Sequence, residues 1–109
     1  MTTFIAIGYG DGAGYDQTDQ SVRDAAHEHD ARLRERGAIM GIAGAPIQVR
    51  NHNGDRVVTT DGPFLRSELP IAGFTVIEAD TVEKAVSLAS KTPCAVAHGV
   101  VEVWPLQTT

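Results

Sequence analysis

Two helix-forming segments set between short apolar runs constrain the fold of this chain more than any other feature of its sequence. The first runs from about residue 18 to Arg36, and it is followed by Gly37, a residue suited to the position just after a helix. The second begins with the capping-box pattern Asp80-Thr81-Val82-Glu83, with Asp80 as the N-cap, and runs to Lys91. Because helices bury one face, we expect both to pack on a sheet formed by the segments around them.

Five segments rich in apolar residues predict the strands of that sheet, at residues 4–9, 38–49, 56–60, 73–79 and 99–104. Asn53-Gly54 favours a hairpin between the second and third strands, because both central residues of a type I′ turn need positive φ. The order of elements predicts an α+β fold of the ferredoxin-like type, with an antiparallel sheet and two helices on one face. The other face of the sheet then needs a cover, which a homodimer pairing sheet to sheet supplies most simply.

Composition narrows the class of protein. The chain has 109 residues, the usual size of one domain, so we expect a single domain over residues 1–109. Its net charge is −5 and no cluster of basic residues stands out, which argues against binding to nucleic acid. One cysteine excludes an internal disulfide and a CxxC motif. No apolar stretch approaches the roughly 20 residues that span a bilayer, so we expect no membrane partner and a cytoplasmic location.

Two glycine- and acid-rich patterns near the N-terminus are weak signals for a cofactor or a metal. Gly8-Tyr9-Gly10-Asp11-Gly12-Ala13 matches GxGxxA, but a dinucleotide site needs a helix opening directly from it and an acid on a second strand. We therefore predict a flexible loop over residues 10–16 and no cofactor. His27 and His29 are two residues apart on a helix, where one metal ion cannot be held by both from one face, so we predict no metal site.

The first helix carries its more informative histidine on its apolar face. Val22, Ala26, His29 and Leu33 follow one another at spacings of four, three and four residues, so they share that face. His29 is therefore predicted to point toward the sheet, while His27 lies on a polar flank. An inward histidine is most often a core residue with its hydrogen bonds satisfied, but it is also a candidate acid or base in a pocket.

Three segments give the chain a family resemblance. Thr60-Asp61-Gly62-Pro63-Phe64, then Gly73-Phe74, then Glu102-Val103-Trp104-Pro105-Leu106 resemble the DGPF branch of the YCII-related family, in the same order over nearly the whole chain. The resemblance implies a dimeric ferredoxin-like fold and a His–Asp dyad in a pocket beside the sheet. The dyad maps onto His29 and Asp61. One relative type removes halide from a chlorinated lactone, which is lyase-like proton chemistry, and most members have no assigned function.

The sequence also departs from the family pattern at several positions. Ala26 stands where a second histidine is expected, and Trp104 where an arginine is common. Arg66-Ser67-Glu68-Leu69 replaces a Glu-x-Lys-Glu run. These departures bear on substrate binding more than on the fold.

Two functions follow from these residues as hypotheses. In the first, the chain is a small lyase- or isomerase-type enzyme in which His29 transfers a proton and Asp61 orients it. The residues expected to contact a small organic ligand are Tyr9, Phe64, Arg66 and Glu68. In the second, the chain is a non-catalytic dimeric module that either binds a small molecule or has a regulatory role. Asp61 is explained almost as well by a turn, since Asp before Gly-Pro hydrogen-bonds the backbone just ahead of it.

Overall fold

A computed structural model describes residues 1–107 of the chain. Within them the chain forms six strands, four α-helices and one short 3-10 turn at His52–Gly54. The strands are β1 Thr2–Tyr9, β2 Ile39–Ile42, β3 Ile47–Arg50, β4 Val58–Asp61, β5 Ile71–Ala79 and β6 Val100–Pro105. The helices are α1 Gly12–Gln17, α2 Gln20–Glu35, α3 Val82–Ala89 and α4 Pro93–Val96. None of the helices described is long and apolar enough to cross a bilayer.

The strands form two antiparallel sheets, which confirms the predicted α+β class. The main sheet has the order β2-β5-β1-β6, and β3 pairs only with β4 in a separate hairpin. The main strands and the two longest helices follow one another as β-α-β-β-α-β, the order of the ferredoxin-like plan. The hairpin is an insertion between the second and third strands of that plan.

The predicted strand over residues 38–49 is wrong as one element, because it divides between the two sheets. β2 ends at Ile42 and pairs with β5, whereas β3 begins at Ile47 and pairs with β4. Pro46 lies between them and has no N–H to donate to a ladder, so the chain leaves the main sheet there. Asn53 and Gly54 have positive φ of 63° and 69°, as predicted, but they sit in a seven-residue connection, 51–57, and not in a two-residue turn.

The prediction of two helices is also wrong, since α1 and α4 are additional. Residues 12–17 form α1 where a loop was expected, because the Asp11 carboxylate caps the helix by accepting from the N–H of Gly14 at 2.9 Å. Pro93 occupies the first turn of α4, a position where its missing N–H costs nothing. The N-cap of α3 is Thr81 and not Asp80, as the Thr81 hydroxyl accepts from the N–H of Lys84 at 3.1 Å.

The C-terminus of α2 follows the prediction. Gly37 has φ of 99°, the left-handed conformation that glycine adopts without a Cβ clash. Its N–H donates to Arg34 O and that of Ala38 donates to Leu33 O, each at 3.0 Å. This pair of bonds is the Schellman arrangement, and it turns the chain from α2 into β2.

The hydrophobic core lies at one end of the sheet's helix-bearing face. Phe4 on β1 and Ile77 on β5 are register partners, and they pack with Ala79 and with Ala85 of α3. The alanines let α3 approach the sheet closely, and Phe4 is almost fully buried. Burial of a phenylalanine of this kind contributes about 1.5–3 kcal/mol to folding.

His29 ties α2 to α3. The prediction that it lies on the buried face of α2 is confirmed, as the residue is only 7% exposed and shares the buried stripe with Ala26 and Leu33, but its ring is directed at α3 and not at the sheet. Its Nε2 lies 2.7 Å from the carbonyl oxygen of Leu88, and because that oxygen can only accept, Nε2 carries the proton. Leu88 is in the last turn of α3, where carbonyls have no partner within the helix.

His29→Ala should therefore lower the free energy of unfolding by about 1–3 kcal/mol, since it leaves the Leu88 carbonyl without its donor. The matched control is His27→Ala on the same helix, where the exposed histidine should change stability by no more than about 0.5 kcal/mol. Urea denaturation followed by circular dichroism measures both. Equal effects of the two substitutions would contradict a tethering role for His29.

Candidate functional site

A cavity of about 680 Å³ lies between the sheet and helices α1, α2 and α4. Strand register places most of its sheet-side residues, among them Ala6, Gly8 and Thr75, on the face that also bears Phe4 and Ile77. The wall is mainly apolar and includes Ala6, Leu33, Met40, Ile71, Pro93 and Val101. The volume and the lining are those of a small-molecule site, since such sites typically measure about 300–1,000 Å³.

Polar side chains enter this cavity mainly from one side, that of α1 and α2. Tyr15 comes from α1, while His27, Asp30 and Arg34 come from α2. The three α2 residues follow one another at spacings of three and four, so they share one helix face. Each of these residues directly follows one of the buried residues Ala26, His29 and Leu33 in the sequence, so the polar face of α2 lies beside its buried stripe. Leu33 of that stripe also lines the cavity.

Tyr15 and His27 form a hydrogen-bonded pair at the cavity wall. The Tyr15 hydroxyl lies 2.9 Å from His27 Nε2, and the two rings meet edge to face with centroids 6.0 Å apart. The Arg23 guanidinium lies 4.8 Å from the centroid of the Tyr15 ring, within the range of a cation–π contact. These contacts fix the imidazole with one nitrogen on Tyr15 and leave Nδ1 as its second site for a proton.

Asp30 is a carboxyl group of the cavity wall whose ionisation is altered. Partial burial raises the pKa of its carboxyl above the ordinary value of 3.8, and the positive charge of Arg34 and the histidines His27 and His29 oppose that shift only in part. A carboxyl that keeps its proton to higher pH is better matched to proton transfer near neutrality. Asp30 is therefore the strongest acid/base candidate in the cavity.

Cys94 of α4 lies against the sheet at the floor of the cavity. A Cβ placed on Gly8 would lie 2.9 Å from Cys94 Sγ, so only glycine at this position permits the approach of α4 to β1. Burial, and to a smaller extent the charge of Asp30, raise the pKa of the Cys94 thiol. A thiol with a raised pKa is a poor nucleophile at neutral pH, which favours a packing role.

The structure does not bring the two predicted dyad residues together in this cavity. His29 faces α3, and Asp61 is the exposed last residue of β4 in the hairpin. Neither side chain forms part of the cavity wall. No hydrogen bond joins them within residues 1–107. The catalytic assignment of His29 and Asp61 stays a prediction.

The turn after Asp61 is held by backbone conformation and by two hydrogen bonds. Gly62 has φ of 98°, its N–H donates to Pro46 O at 3.1 Å, and its carbonyl accepts from the Gln48 side chain at 3.2 Å. Phe64 follows the turn, is 79% exposed and lies with its ring centroid 5.8 Å from the Arg50 guanidinium. The segment thus closes a groove on the hairpin of about 360 Å³, separate from the larger cavity.

The remaining residues predicted to contact a ligand lie elsewhere. Arg66 and Glu68 are exposed in the segment between β4 and β5, and neither lines the larger cavity. Tyr9 is buried, and its hydroxyl donates to Glu102 at 2.5 Å. That hydrogen bond, followed by burial and the Glu102 charge, raises the pKa of Tyr9. Alternation along β1 places Tyr9 on the sheet face opposite the cavity.

Sequence reasoning missed Tyr15 and Asp30 as site residues. For Asp30 a signal existed, since the spacing of His27, Asp30 and Arg34 predicts one polar helix face beside the inward stripe. Tyr15 gave no signal, because its partner His27 is twelve residues away and the two meet only when residues 12–17 become helical.

Asp30→Asn should raise the free energy of unfolding at neutral pH. Because the folded-state pKa of Asp30 is raised, the folded protein binds this proton more tightly than the unfolded chain, and stability falls as the pH rises from about 3.8 through the folded pKa. Asparagine removes that loss. The gain over the natural chain should thus be largest at neutral pH, shrink as the pH falls through the folded pKa of Asp30, and be absent below about 3.8.

Urea denaturation at a series of pH values measures this difference. Asp24→Asn is the matched control, since it removes an exposed carboxylate of the same helix that does not line the cavity. The same pH profile for both variants, or a loss of stability for Asp30→Asn at neutral pH, would contradict the assignment.

A comparison with family models agrees with the three sequence segments noted above. The model of the YCII-related domain matches residues 1–108. No curated protein matches the sequence. The match spans almost every residue of the chain, including all the strands and helices that enclose the cavity. The chain therefore belongs to the family of YCII-related domains.

Proposed function

We propose that this YCII-related domain is a small enzyme that moves a proton on a small organic molecule bound in the cavity between α2 and the sheet. The observation that carries the proposal is the half-buried carboxyl of Asp30, held in an apolar wall beside the His27–Tyr15 pair. A ligand-sized cavity and an acid/base group of altered pKa therefore occur together, which is the usual combination at a catalytic site.

In this proposal Asp30 and His27 have separate roles. Asp30 takes a proton from a carbon next to an electron-withdrawing group, or returns one, as a lyase or isomerase requires. His27 hydrogen-bonds Tyr15 through Nε2 and presents its other nitrogen to a polar atom of the ligand. Because His27 and Asp30 are three residues apart on one helix, both reach the same end of the cavity.

The dyad of His29 and Asp61 remains the competing assignment for the same reaction class. It requires His29 to give up its hydrogen bond to Leu88, or to act through Nδ1, and it requires the hairpin to move toward α2. The third possibility is a module that binds without catalysis. In that case a ligand binds in the cavity but none of its protons exchange with solvent.

The exchange of α-protons of small carbonyl compounds for solvent deuterium distinguishes the three assignments. A panel of cyclic ketones and lactones is incubated with the protein in deuterated buffer, and loss of the α-proton signal is followed by NMR. Asp30→Asn should slow enzymatic exchange by about 10²–10⁴, the usual contribution of a general acid or base. Asp61→Asn should leave it within a factor of about two, since about 0.4 kcal/mol or less is lost when a group outside the site changes.

Slow exchange in Asp61→Asn together with nearly unchanged exchange in Asp30→Asn would favour the dyad. No exchange by the natural chain with any compound that it binds would favour the non-catalytic module. His29→Gln adds a further comparison, because glutamine keeps an N–H donor for Leu88 and removes the imidazole.

We further propose that the chain is a homodimer joined through the face of the main sheet that carries no helices. Register places a largely apolar set of side chains on that face, namely Ile5, Ile7, Ile39, Phe74, Val76, Val100 and Trp104. Several are strongly exposed in the single chain, Ile39 at 72% and Trp104 at 56%. An apolar sheet face of this extent is typically covered by a second sheet. The cytoplasmic location expected from the sequence stays a prediction.

Val76→Glu should convert the dimer to a monomer, because Val76 lies on β5 near the middle of that face and a carboxylate there would be buried against the partner. Val86→Glu is the matched control, since Val86 is exposed on α3, away from that face. Light scattering at micromolar concentration gives the mass, and circular dichroism confirms that both variants fold. A monomeric mass for the natural chain would contradict the proposal.

A further inference from the structure

We infer that the cavity takes an uncharged, largely hydrocarbon molecule that carries one hydrogen-bond acceptor, and that it discriminates against the corresponding carboxylate. The inference rests on the proposed function, because it names the class of molecule on which Asp30 and His27 would act. It follows from how apolar and charged groups are distributed around the cavity.

The apolar part of the wall comes from every side of the cavity. β1, β2, β5 and β6 contribute the sheet side, α2 contributes Leu33, and α3 and α4 contribute Ala89, Pro93 and Ala97. A ligand that fills such a volume exchanges most of its water contacts for hydrocarbon contacts. Polar groups spread over the ligand would lose their hydrogen bonds there, at a cost of about 1–3 kcal/mol each.

The charged groups of the cavity disfavour an anion. Asp30 is half-buried, whereas Arg34 is exposed, so water and salt screen the charge of Arg34 more than that of Asp30. Asp11 adds a second carboxylate from the start of α1. A ligand carboxylate beside Asp30 would place two like charges in a partly dry site, and the approach of like charges disfavours ionisation of both.

The protonated form of Asp30 supplies the donor that a neutral acceptor needs. The groups whose charges act on Asp30 are Arg34, His27 and His29 of its own helix. Its own charge acts on the Cys94 thiol of α4, and Asp11 of α1 also lines the cavity. A carboxyl that holds its proton donates one hydrogen bond to a carbonyl or ether oxygen. By linkage, a ligand that accepts this bond binds more tightly as the pH falls, and it raises the pKa of Asp30 further.

The test uses three probes of nearly equal shape on the full chain: 2-acetylnaphthalene, which is neutral, 2-naphthoate, which is an anion, and 2-naphthamidine, which is a cation. Binding is titrated by probe fluorescence at a series of pH values from about 4, close to the ordinary carboxyl pKa of 3.8, to about 8. Methyl NMR signals of Leu33, Met40 and Ala89 report whether the probe occupies the cavity.

We expect 2-acetylnaphthalene to bind at least about tenfold more tightly than 2-naphthoate, a difference of about 1.4 kcal/mol. Its affinity should rise as the pH falls from about 8 to about 4. Asp30→Asn should abolish that pH dependence and narrow the gap between ketone and carboxylate. Glu35→Gln is the matched control, since it removes one exposed negative charge of α2 that lies outside the cavity wall, and it should change neither result.

Each other outcome has a defined meaning. Tighter binding of 2-naphthoate or 2-naphthamidine within the cavity would overturn this inference and leave the proposed acid/base function standing. An unchanged gap in Asp30→Asn would overturn the role given to Asp30 in discrimination. If no probe shifts the cavity methyl signals, both the inference and the assignment of this cavity as the site are overturned.

Discussion

The size of the side chains along one face of β1 decides where this protein has a core and where it has a cavity. Phe4, Ala6 and Gly8 point toward the helices in that order, and each is smaller than the one before. Their partners on β5 follow the same trend, from Ile77 through Thr75 to Gly73. The large residues fill the space beneath α3 at one end of the face. The cavity lies over the smaller ones toward the other end, where Gly8 also lets Cys94 of α4 come close to β1.

Helix α2 links the two ends, because it presents two adjacent stripes of side chains. One stripe holds His29 and Leu33 and stabilises the fold through burial and through the bond to Leu88. The next stripe holds His27 and Asp30 and forms the polar wall of the cavity. A site built on a helix that is fixed by its own core contacts has a well-defined geometry. The partial burial of Asp30 raises its pKa and therefore costs stability at neutral pH.

The sequence predicted the parts of the fold that depend on local patterns. The inward stripe of α2, its end at Gly37 and the strands β1, β5 and β6 follow from periodicity and from turn residues. The pairing of β3 with β4 followed from Asn53-Gly54, although the connection is longer than a tight turn. These features arise from neighbours in sequence, so they needed no knowledge of the tertiary contacts.

Helix α1 and the cavity depend on contacts between distant residues, and for that reason the sequence did not reveal them. Gly12 and Gly14 disfavour a helix by their intrinsic propensity. Gly14 is nevertheless required there, as a Cβ on it would lie 2.5 Å from the carbonyl oxygen of Ala97. The close contact of α1 with the end of α4 therefore selects a glycine that local propensity would reject, and the same contact helps to bring Tyr15 to the cavity.

The choice between the two histidines of α2 can be argued from their hydrogen bonds. His27 and His29 are two residues apart, which places them about 200° apart around the helix axis. The Nε2 proton of His29 is committed to Leu88, so proton transfer at that nitrogen would break the link between α2 and α3. His27 bonds only another side chain, that of Tyr15, and its position at the cavity lets it exchange this partner for a ligand without loosening the core. The histidine that the helix exposes is thus the better placed for chemistry, and the one that it buries is the better placed for stability.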